Sequence, residues 1–190
     1  MRVLARDLAA RDGEQVTVEG WIHRIRELGS VSFVLLRDRS GIMQLVYEGK
    51  VEHTLESVIR VSGTCAANDK APGGYEVRAE ETTLLARAEP DLPLQVNGNL
   101  DEVSLDTILD HRLVSVRNPK IRHIFHVQAS VVRAFSAFMR SEDFTEIKTS
   151  KIIGTGTEGG TGLFEVQYFE DQVYLAQSPQ FYKQAMVASG

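Results

Sequence analysis

Residues 154–190 read GTGTEGGTGLFEVQYFEDQVYLAQSPQFYKQAMVASG. The stretch opens with a loop that holds five glycines. Two runs of β-forming residues come next, and they predict a hairpin in which residues 163–169 pair with residues 172–176. The dipeptide Glu170-Asp171 between them is the predicted turn. This end of the chain is therefore predicted to contain an antiparallel sheet that follows a glycine-rich loop.

A short helix is predicted after the hairpin. Ser178 suits its N-cap position and Pro179 its first helical position. The helix would then run from Gln180 to about Ala188. Gln180 and Lys183 share a face of this helix, at the end where unpaired N–H groups attract anions. An amide and an ammonium group placed there could hold a carboxylate.

Glu158 is the one acid inside the glycine-rich loop, and its carboxylate could hold an ammonium group. Together with Gln180 and Lys183, it would suit a small zwitterion that has an acidic side chain. The same residues also fit a plain turn loop, a routine helix cap and a solvated lysine. Spacing alone favours this second interpretation.

Four motifs follow one another here: Thr157-Glu158-Gly159-Gly160-Thr161, Leu163-Phe164, Tyr168-Phe169 and Gln177-Ser178-Pro179-Gln180-Phe181-Tyr182-Lys183-Gln184. In this order they resemble the amino-acid pocket of aspartyl-tRNA synthetases, in particular the compact archaeal-type branch of that class II family. The resemblance implies that Glu158 contacts the α-amino group of the substrate. It also implies that Ser178, Gln180 and Lys183 bind aspartate, with Lys183 facing the side-chain carboxylate.

Residues 1–88 are predicted to be all-β. Alternating or continuous apolar runs indicate five strands, at residues 16–22, 31–36, 42–47, 57–65 and 75–88. Residues 54–56 leave room for only a short helix or turn between the third and fourth strands. Five strands with one such break are typical of a small Greek-key barrel of the OB type. A piece of a plain β-sandwich is the alternative.

The predicted barrel has a candidate binding face. OB barrels bind single-stranded nucleic acids by stacking bases on aromatic side chains beside a basic groove. Phe33 is a candidate for stacking and Gln44 for a hydrogen bond to a base edge. Four arginines lie close enough in sequence to follow phosphates: Arg24, Arg26, Arg37 and Arg39. The alternative places Phe33 in the core and pairs the arginines with Glu27 and Asp38.

Further motifs of the barrel are Gly20-Trp21-Ile22-His23-Arg24-Ile25-Arg26, Phe33, Leu36-Arg37-Asp38-Arg39-Ser40-Gly41 and Gln44. They resemble the anticodon-binding barrel of aspartyl-, asparaginyl- and lysyl-tRNA synthetases. The resemblance implies that Phe33 and Gln44 meet anticodon bases, with Arg26 close by. Glu76 is the fourth residue that it assigns to the anticodon.

Residues 89–106 contain two prolines and an Asn-Gly turn signal, and they are predicted to be a hinge. The family resemblance makes residues 107–190 the first part of a class II catalytic domain, which is built on an antiparallel sheet. The predicted fold is therefore an all-β OB barrel over residues 1–88, followed by an incomplete α+β domain.

A long helix is predicted over residues 119–142, because its apolar residues recur at helical spacing. A strand is predicted after it, over residues 144–153. The pair resembles motif 1 of class II synthetases, which builds the dimer interface, and implies a homodimer through residues 119–153. Ser150 stands where the family places a proline, and this departure bears on the interface geometry. The alternative is an amphipathic helix packed on its own sheet.

Composition limits the possible functions. The 190 residues carry a net charge of −5, so a nucleic-acid role has to rest on a local basic patch. Cys65 is the only cysteine, which excludes an internal disulfide and suits the cytoplasm. The scattered histidines predict no metal site. No apolar run approaches the length of a membrane span, and the start of the chain does not resemble a signal peptide.

The resemblance implies an aspartate–tRNA ligase, which uses ATP and Mg²⁺ to activate L-aspartate and transfers it to tRNA. The ATP-binding motifs of the family, F-R-x-E and G-x-G-x-x-R, do not occur in the sequence. The chain is therefore expected to hold no catalytic residue, to be part of a longer synthetase and to be inactive by itself. Two alternatives stay open: a non-catalytic tRNA- or RNA-binding module, such as a truncated paralogue, and an asparaginyl-tRNA synthetase. Lys183 favours a carboxylate over an amide.

Overall fold

The structure, a computed structural model, describes residues 2–156 and 162–190. The chain divides into two compact units, Met1–Val127 and Gln128–Gly190. Glu158, the predicted contact of an α-amino group, lies outside the described residues.

The first unit is built on a closed five-stranded barrel. Its strands are β1 (Gln15–Leu28), β2 (Val31–Arg37), β3 (Ile42–Glu48), β4 (Val58–Ala67) and β5 (Tyr75–Ala86). Around the barrel they follow the order β1-β2-β3-β5-β4. The β3–β5 pair is parallel, and the other neighbouring pairs are antiparallel. This topology confirms the predicted OB barrel.

The barrel core follows from the alternation of side chains along the strands. In β2, Val34 and Leu36 point inward and are fully buried, whereas Phe33 and Leu35 are partly exposed on the other face. A 3₁₀ helix over Ala5–Arg11 adds Leu8 to the same core. The remaining buried members are Val16, Val18, Ile22, Met43, Leu45, Ile59, Val61, Cys65 and Val77. Each large aliphatic side chain buried in this way stabilises the fold by about 1.5–3 kcal/mol.

A second, smaller core forms after the barrel. It brings together Leu94, Leu100 and Ile108, which are all buried. Two short helices supply part of it, α1 (Leu105–Asp110) and α2 (Arg112–Ser115). The segment predicted to be a hinge therefore contributes buried side chains to this core. Helix α3 (Pro119–Ser141) follows and confirms the predicted long helix.

The described part of the second unit contains a three-stranded antiparallel sheet and a helix. The strands are β6 (Ile152–Ile153), β7 (Phe164–Tyr168) and β8 (Asp171–Leu175), in the order β6-β8-β7. Helix α4 spans Gln180–Val187. The predicted hairpin and terminal helix are thus present.

The strand predicted over residues 144–153 is wrong in length. Only Ile152 and Ile153 form a strand, because only they pair with β8, at Leu175 and Tyr174 respectively. Residues 144–151 have no regular structure. Among the described residues, residues 144–151 have no neighbouring strand to pair with.

Two local predictions around the hairpin are also wrong by one residue. The turn is Phe169-Glu170, since Asp171 already pairs with Tyr168. Phe169 takes a left-handed conformation, with φ of 53°, to close this two-residue loop. The helix N-cap is Pro179, and Ser178 precedes it. Ser178 still accepts a hydrogen bond from the backbone N–H of Gln180 on its Oγ, at 3.2 Å.

Candidate functional site

Four barrel strands present two rows of side chains on the outer surface of the first unit. In one row, neighbouring strands pair Arg26 of β1 with Phe33 of β2, Phe33 with Val46 of β3, and Val46 with Arg78 of β5. The neighbouring row consists of Arg24, Leu35, Gln44 and Glu76. We call these eight residues the platform. It brings together all four residues that the sequence assigned to an anticodon.

Phe33 lies near the middle of the platform. It alternates with the buried Ser32 and Val34, so that its ring is on the outer face and is not part of the barrel core. Leu35 and Val46 lie beside it in the register and are also only partly buried. The centre of the platform is therefore apolar and reachable, as a stacking surface for a base must be.

The arginines of the platform have no acidic partner. Among residues 2–156 and 162–190, no carboxylate oxygen lies within 4.0 Å of a side-chain nitrogen of Arg24, Arg26 or Arg78. By contrast, Nε of Arg60 on β4 lies 2.6 Å from a carboxylate oxygen of Glu19. Guanidinium groups without a partner are available to bind an anion.

Two of the predicted phosphate-binding arginines differ in their surroundings. Arg37 is 3% exposed and donates from Nη2 to Oε2 of Glu56 at 2.8 Å, so it cannot follow a phosphate backbone. Arg39 is exposed. The carboxylate of Asp38, expected to pair with the arginines, instead accepts backbone N–H groups of Ala5, Ser40 and Gly41. The sequence could not show the bond from Ala5, which lies 33 residues from Asp38.

Hydrogen bonds hold two polar residues of the platform, Gln44 and Glu76, in a fixed orientation. Oε2 of Glu76 accepts a hydrogen bond from Nε2 of Gln44 at 2.9 Å and another from Nδ2 of Asn68 at 2.6 Å. Glu76 is only 8% exposed. Since the two donors fix its carboxylate, Gln44 and Glu76 present their remaining oxygens in defined positions, where base amino groups could donate to them.

The first unit also contains a buried ion triad of Glu56, Arg37 and Arg117. Glu56 accepts from Arg37 and, at 3.1 Å, from Nη1 of Arg117 on its Oε2. Nη1 of Arg37 is 3.1 Å from Nδ1 of His23. Asn97 donates to the backbone carbonyl of His23 at 2.7 Å. These contacts tie the barrel to the segment that follows it, through groups far apart in sequence.

His23 is expected to make the stability of the first unit depend on pH. Burial, followed by the positive charge of Arg37, lowers the pKa of its imidazole from 6.5. As the pH falls, the imidazole is therefore protonated in the unfolded chain before it is protonated in the folded chain. The free energy of unfolding should fall as the pH drops below about 6.5. Urea denaturation at about pH 7.5 and about pH 5.5 measures this loss, which should be smaller for His23→Gln. Equal losses in both proteins would contradict the expectation.

The second unit contains a cavity beside one of the residues predicted to bind an amino acid. A cavity of about 400 Å³ is lined by Ile152, Ile153, Gly154, Thr155, Ala176, Ser178, Phe181 and Tyr182. Ser178 thus reaches the cavity at the start of α4. Gln180 and Lys183 lie on the first turns of α4, where both are exposed and neither lines the cavity. The structure therefore brings Ser178 to the cavity and leaves Gln180 and Lys183 exposed outside its lining, and Glu158 lies outside the described residues.

Among the described residues, no group of three His, Cys, Asp or Glu residues is arranged to hold a metal ion. No helix in the described ranges has the length and apolar character that crossing a membrane requires.

Sequence reasoning missed three residues of these sites. Arg78 carried a usable signal, since it lies two positions after Glu76 in a predicted strand and so must share its face. Asn68 and Arg117 gave none, because they reach Glu76 and Glu56 only through the folded barrel.

Two family models match this chain. The model of class II tRNA synthetases (D, K and N) matches residues 104–190, and the model of the OB-fold nucleic acid binding domain matches residues 16–85. The matches agree with the barrel and with the sheet that follows it. The chain belongs to the class II tRNA synthetase family.

Two sequence relatives of the chain are aspartate–tRNA ligases. An aspartate–tRNA(Asp/Asn) ligase from Thermus thermophilus is 47% identical over 187 residues, which cover 98% of this chain and 44% of the relative. An aspartate–tRNA(Asp) ligase from Pyrococcus horikoshii is 43% identical over 189 residues, or 94% of this chain and 43% of the relative. These relatives confirm the resemblance seen in the motifs. The chain spans less than half the length of either of them.

A solved structure supports the fold. The asparaginyl-tRNA synthetase from Pyrococcus horikoshii, complexed with asparaginyl-adenylate, is similar to this chain with a TM-score of 0.88 at 27% identity. The similarity covers 98% of this chain and 45% of that one.

Proposed function

We propose that this chain supplies the anticodon-binding barrel and the first part of the catalytic domain of an aspartate–tRNA ligase. We assign residues 1–88 to the barrel, residues 89–106 to a hinge and residues 107–190 to the catalytic domain. The observation that carries the proposal is the platform, where an outward Phe33 lies between unpaired arginines and an oriented Gln44–Glu76 pair. This arrangement suits a single-stranded loop of tRNA.

Four platform residues have a proposed role that follows from their surroundings. The ring of Phe33 stacks on one base of the anticodon, because it is apolar, outward and flanked by Leu35. Gln44 and Glu76 hydrogen-bond to base edges, since their own mutual bond holds them in place. Arg26 binds a phosphate next to the stacked base, which its lack of an acidic partner permits.

Phe33→Ala is expected to weaken binding of the 190-residue chain to an anticodon stem-loop by about 1–3 kcal/mol, the contribution of one stacked base. Fluorescence anisotropy with a labelled stem-loop of tRNA(Asp) measures the change. Phe169→Ala is the matched control, because Phe169 is exposed and lies in the second unit. Unchanged affinity of a folded Phe33→Ala protein, or equal losses in both variants, would overturn the role of Phe33.

In the catalytic domain we assign binding of L-aspartate to Glu158, Ser178, Gln180 and Lys183. Support comes from the cavity at Ser178 and from the exposed ammonium of Lys183 near the N-terminus of α4. A complete ligase would use ATP and Mg²⁺ to activate the aspartate carboxyl group. We assign neither of them to a residue of this chain, whose sequence lacks the family's ATP-binding motifs. The 190 residues alone are therefore proposed to be inactive.

We further propose a homodimer through residues 119–153. Large apolar side chains along α3 support it, since Phe135 and Phe138 are 65% and 60% exposed. A cytoplasmic location completes the proposal, and it suits a chain whose one cysteine, Cys65, is free and buried.

A further inference from the structure

Arg78 ends one row of the platform, at the opposite edge from Arg26. The register places Arg26 beside Phe33, Phe33 beside Val46 and Val46 beside Arg78. Three inter-strand steps separate the two arginines, which is about 14 Å. Both side chains are exposed. A polymer that stacks on Phe33 and is held by Arg26 would therefore meet Arg78 on the far side of the ring.

Arg78 has no structural role that would explain it. Its side chain has no ion pair or side-chain hydrogen bond within the described residues. The two acids nearest to Arg78 along β5, Glu76 and Glu80, both have other partners: Glu76 accepts from Gln44 and Asn68. The carboxylate of Glu80 accepts from Oγ1 of Thr64 and from Nε2 of Gln15, both at 2.8 Å. The hydrogen bonds from Thr64 and Gln15 lower the pKa of Glu80.

An open groove begins beside Arg78. It has a volume of about 940 Å³ and is lined by residues of β2, β3 and β5. Its lining consists of Val31, Val46, Tyr47, Glu48, Arg78, Ala79, Glu80 and Thr82. Arg78 is the only cation in this lining, and two carboxylates lie with it. Glu48 and Glu80 would repel a phosphate that entered the groove, whereas the guanidinium of Arg78 would attract it. A phosphate is therefore expected to bind next to Arg78.

We propose that Arg78 binds a backbone phosphate of the same RNA strand that stacks on Phe33, and that the strand crosses the barrel along this row. The inference rests on the proposed anticodon-binding function. A phosphate, rather than a base, is the expected partner because an exposed guanidinium at the edge of a stacking surface reaches the backbone of a bound strand first. Arg26 and Arg78 then act as two clamps on either side of the stacked base.

The test measures how salt changes RNA binding. An anisotropy titration uses the 190-residue chain and a fluorescein-labelled tRNA(Asp) anticodon stem-loop, between about 50 and about 200 mM KCl. Loss of one phosphate contact should reduce the slope of log K against log salt by about 0.7 in Arg78→Ala. The ratio of the variant and parent dissociation constants should therefore shrink about 2.5-fold across that range. A stem-loop with altered anticodon bases should lose the same factor on this substitution, because phosphates carry no sequence information.

Two further variants separate the possible outcomes. Arg78→Lys keeps the charge and should restore most of the slope. Arg60→Ala removes an exposed arginine that is paired with Glu19 and should leave the slope unchanged. An unchanged slope in Arg78→Ala, while Phe33→Ala still weakens binding, would overturn the Arg78 clamp alone. A parent chain that does not bind the stem-loop would overturn both the clamp and the anticodon-binding function.

Discussion

Glu56→Ala is expected to lower the free energy of unfolding by about 3–5 kcal/mol, because it leaves a buried cation without its partner. The side chains of Glu56 and Arg37 are 3% and 4% exposed, and the two groups are 2.8 Å apart. Removing the carboxylate leaves the Arg37 guanidinium with only the neutral ring of His23 as a side-chain hydrogen-bond partner. The backbone of Glu56, whose φ is 64°, is equally strained in both proteins. Urea denaturation near neutral pH measures the loss.

Two variants show whether burial of the charge causes this loss. Glu19→Ala removes the partner of Arg60 at a more exposed site and should cost about 0–1 kcal/mol. The double variant Glu56→Ala with Arg37→Met removes both charges and should be more stable than Glu56→Ala alone, since no unpaired cation stays buried. A double variant that is less stable than the single one would contradict this account. Equal losses for Glu56→Ala and Glu19→Ala would do the same.

The barrel could be predicted because the sequence pattern of each strand is contained within a few consecutive residues. Each strand alternates apolar and polar residues over a few positions, as in β2, where Val34 and Leu36 alternate with Phe33 and Leu35. The sheet of the second unit was predicted less well. A strand needs a neighbour to pair with, and residues 144–151 have none among the described residues, although their sequence suits a strand. Pattern in one segment cannot reveal whether a partner segment lies beside it.

Much of the platform could be predicted from the sequence, whereas the ion triad could not. The outward position of Phe33 follows from the period of a strand, and family motifs drew attention to it. By contrast, Glu56 stands in a short turn that the sequence marked only as a break between strands. Its two arginines lie 19 and 61 residues away. Whether an arginine is exposed or buried, as Arg26 and Arg37 illustrate, depends on the face of the barrel on which it lies.

A full-length ligase that contains this chain should depend on Lys183 for its choice of amino acid. Lys183→Met is expected to weaken aspartate binding by about 2–5 kcal/mol, because the side-chain carboxylate of the ligand would be desolvated without a cation. In the structure Lys183 is exposed on α4, and it has no acidic partner in the residues described. Its ammonium is therefore available to a ligand. Isothermal titration calorimetry with aspartate measures the loss.

Asparagine provides the decisive comparison for Lys183. It carries an amide where aspartate carries a charge, so its affinity should change much less in Lys183→Met. Lys151→Met is the matched control, because Lys151 is an exposed lysine of the same unit that the proposal does not place in the pocket. Equal losses for aspartate and asparagine would show that Lys183 has a structural or solvated role. A loss confined to aspartate would identify its ammonium as the group that separates an acid from an amide of the same shape.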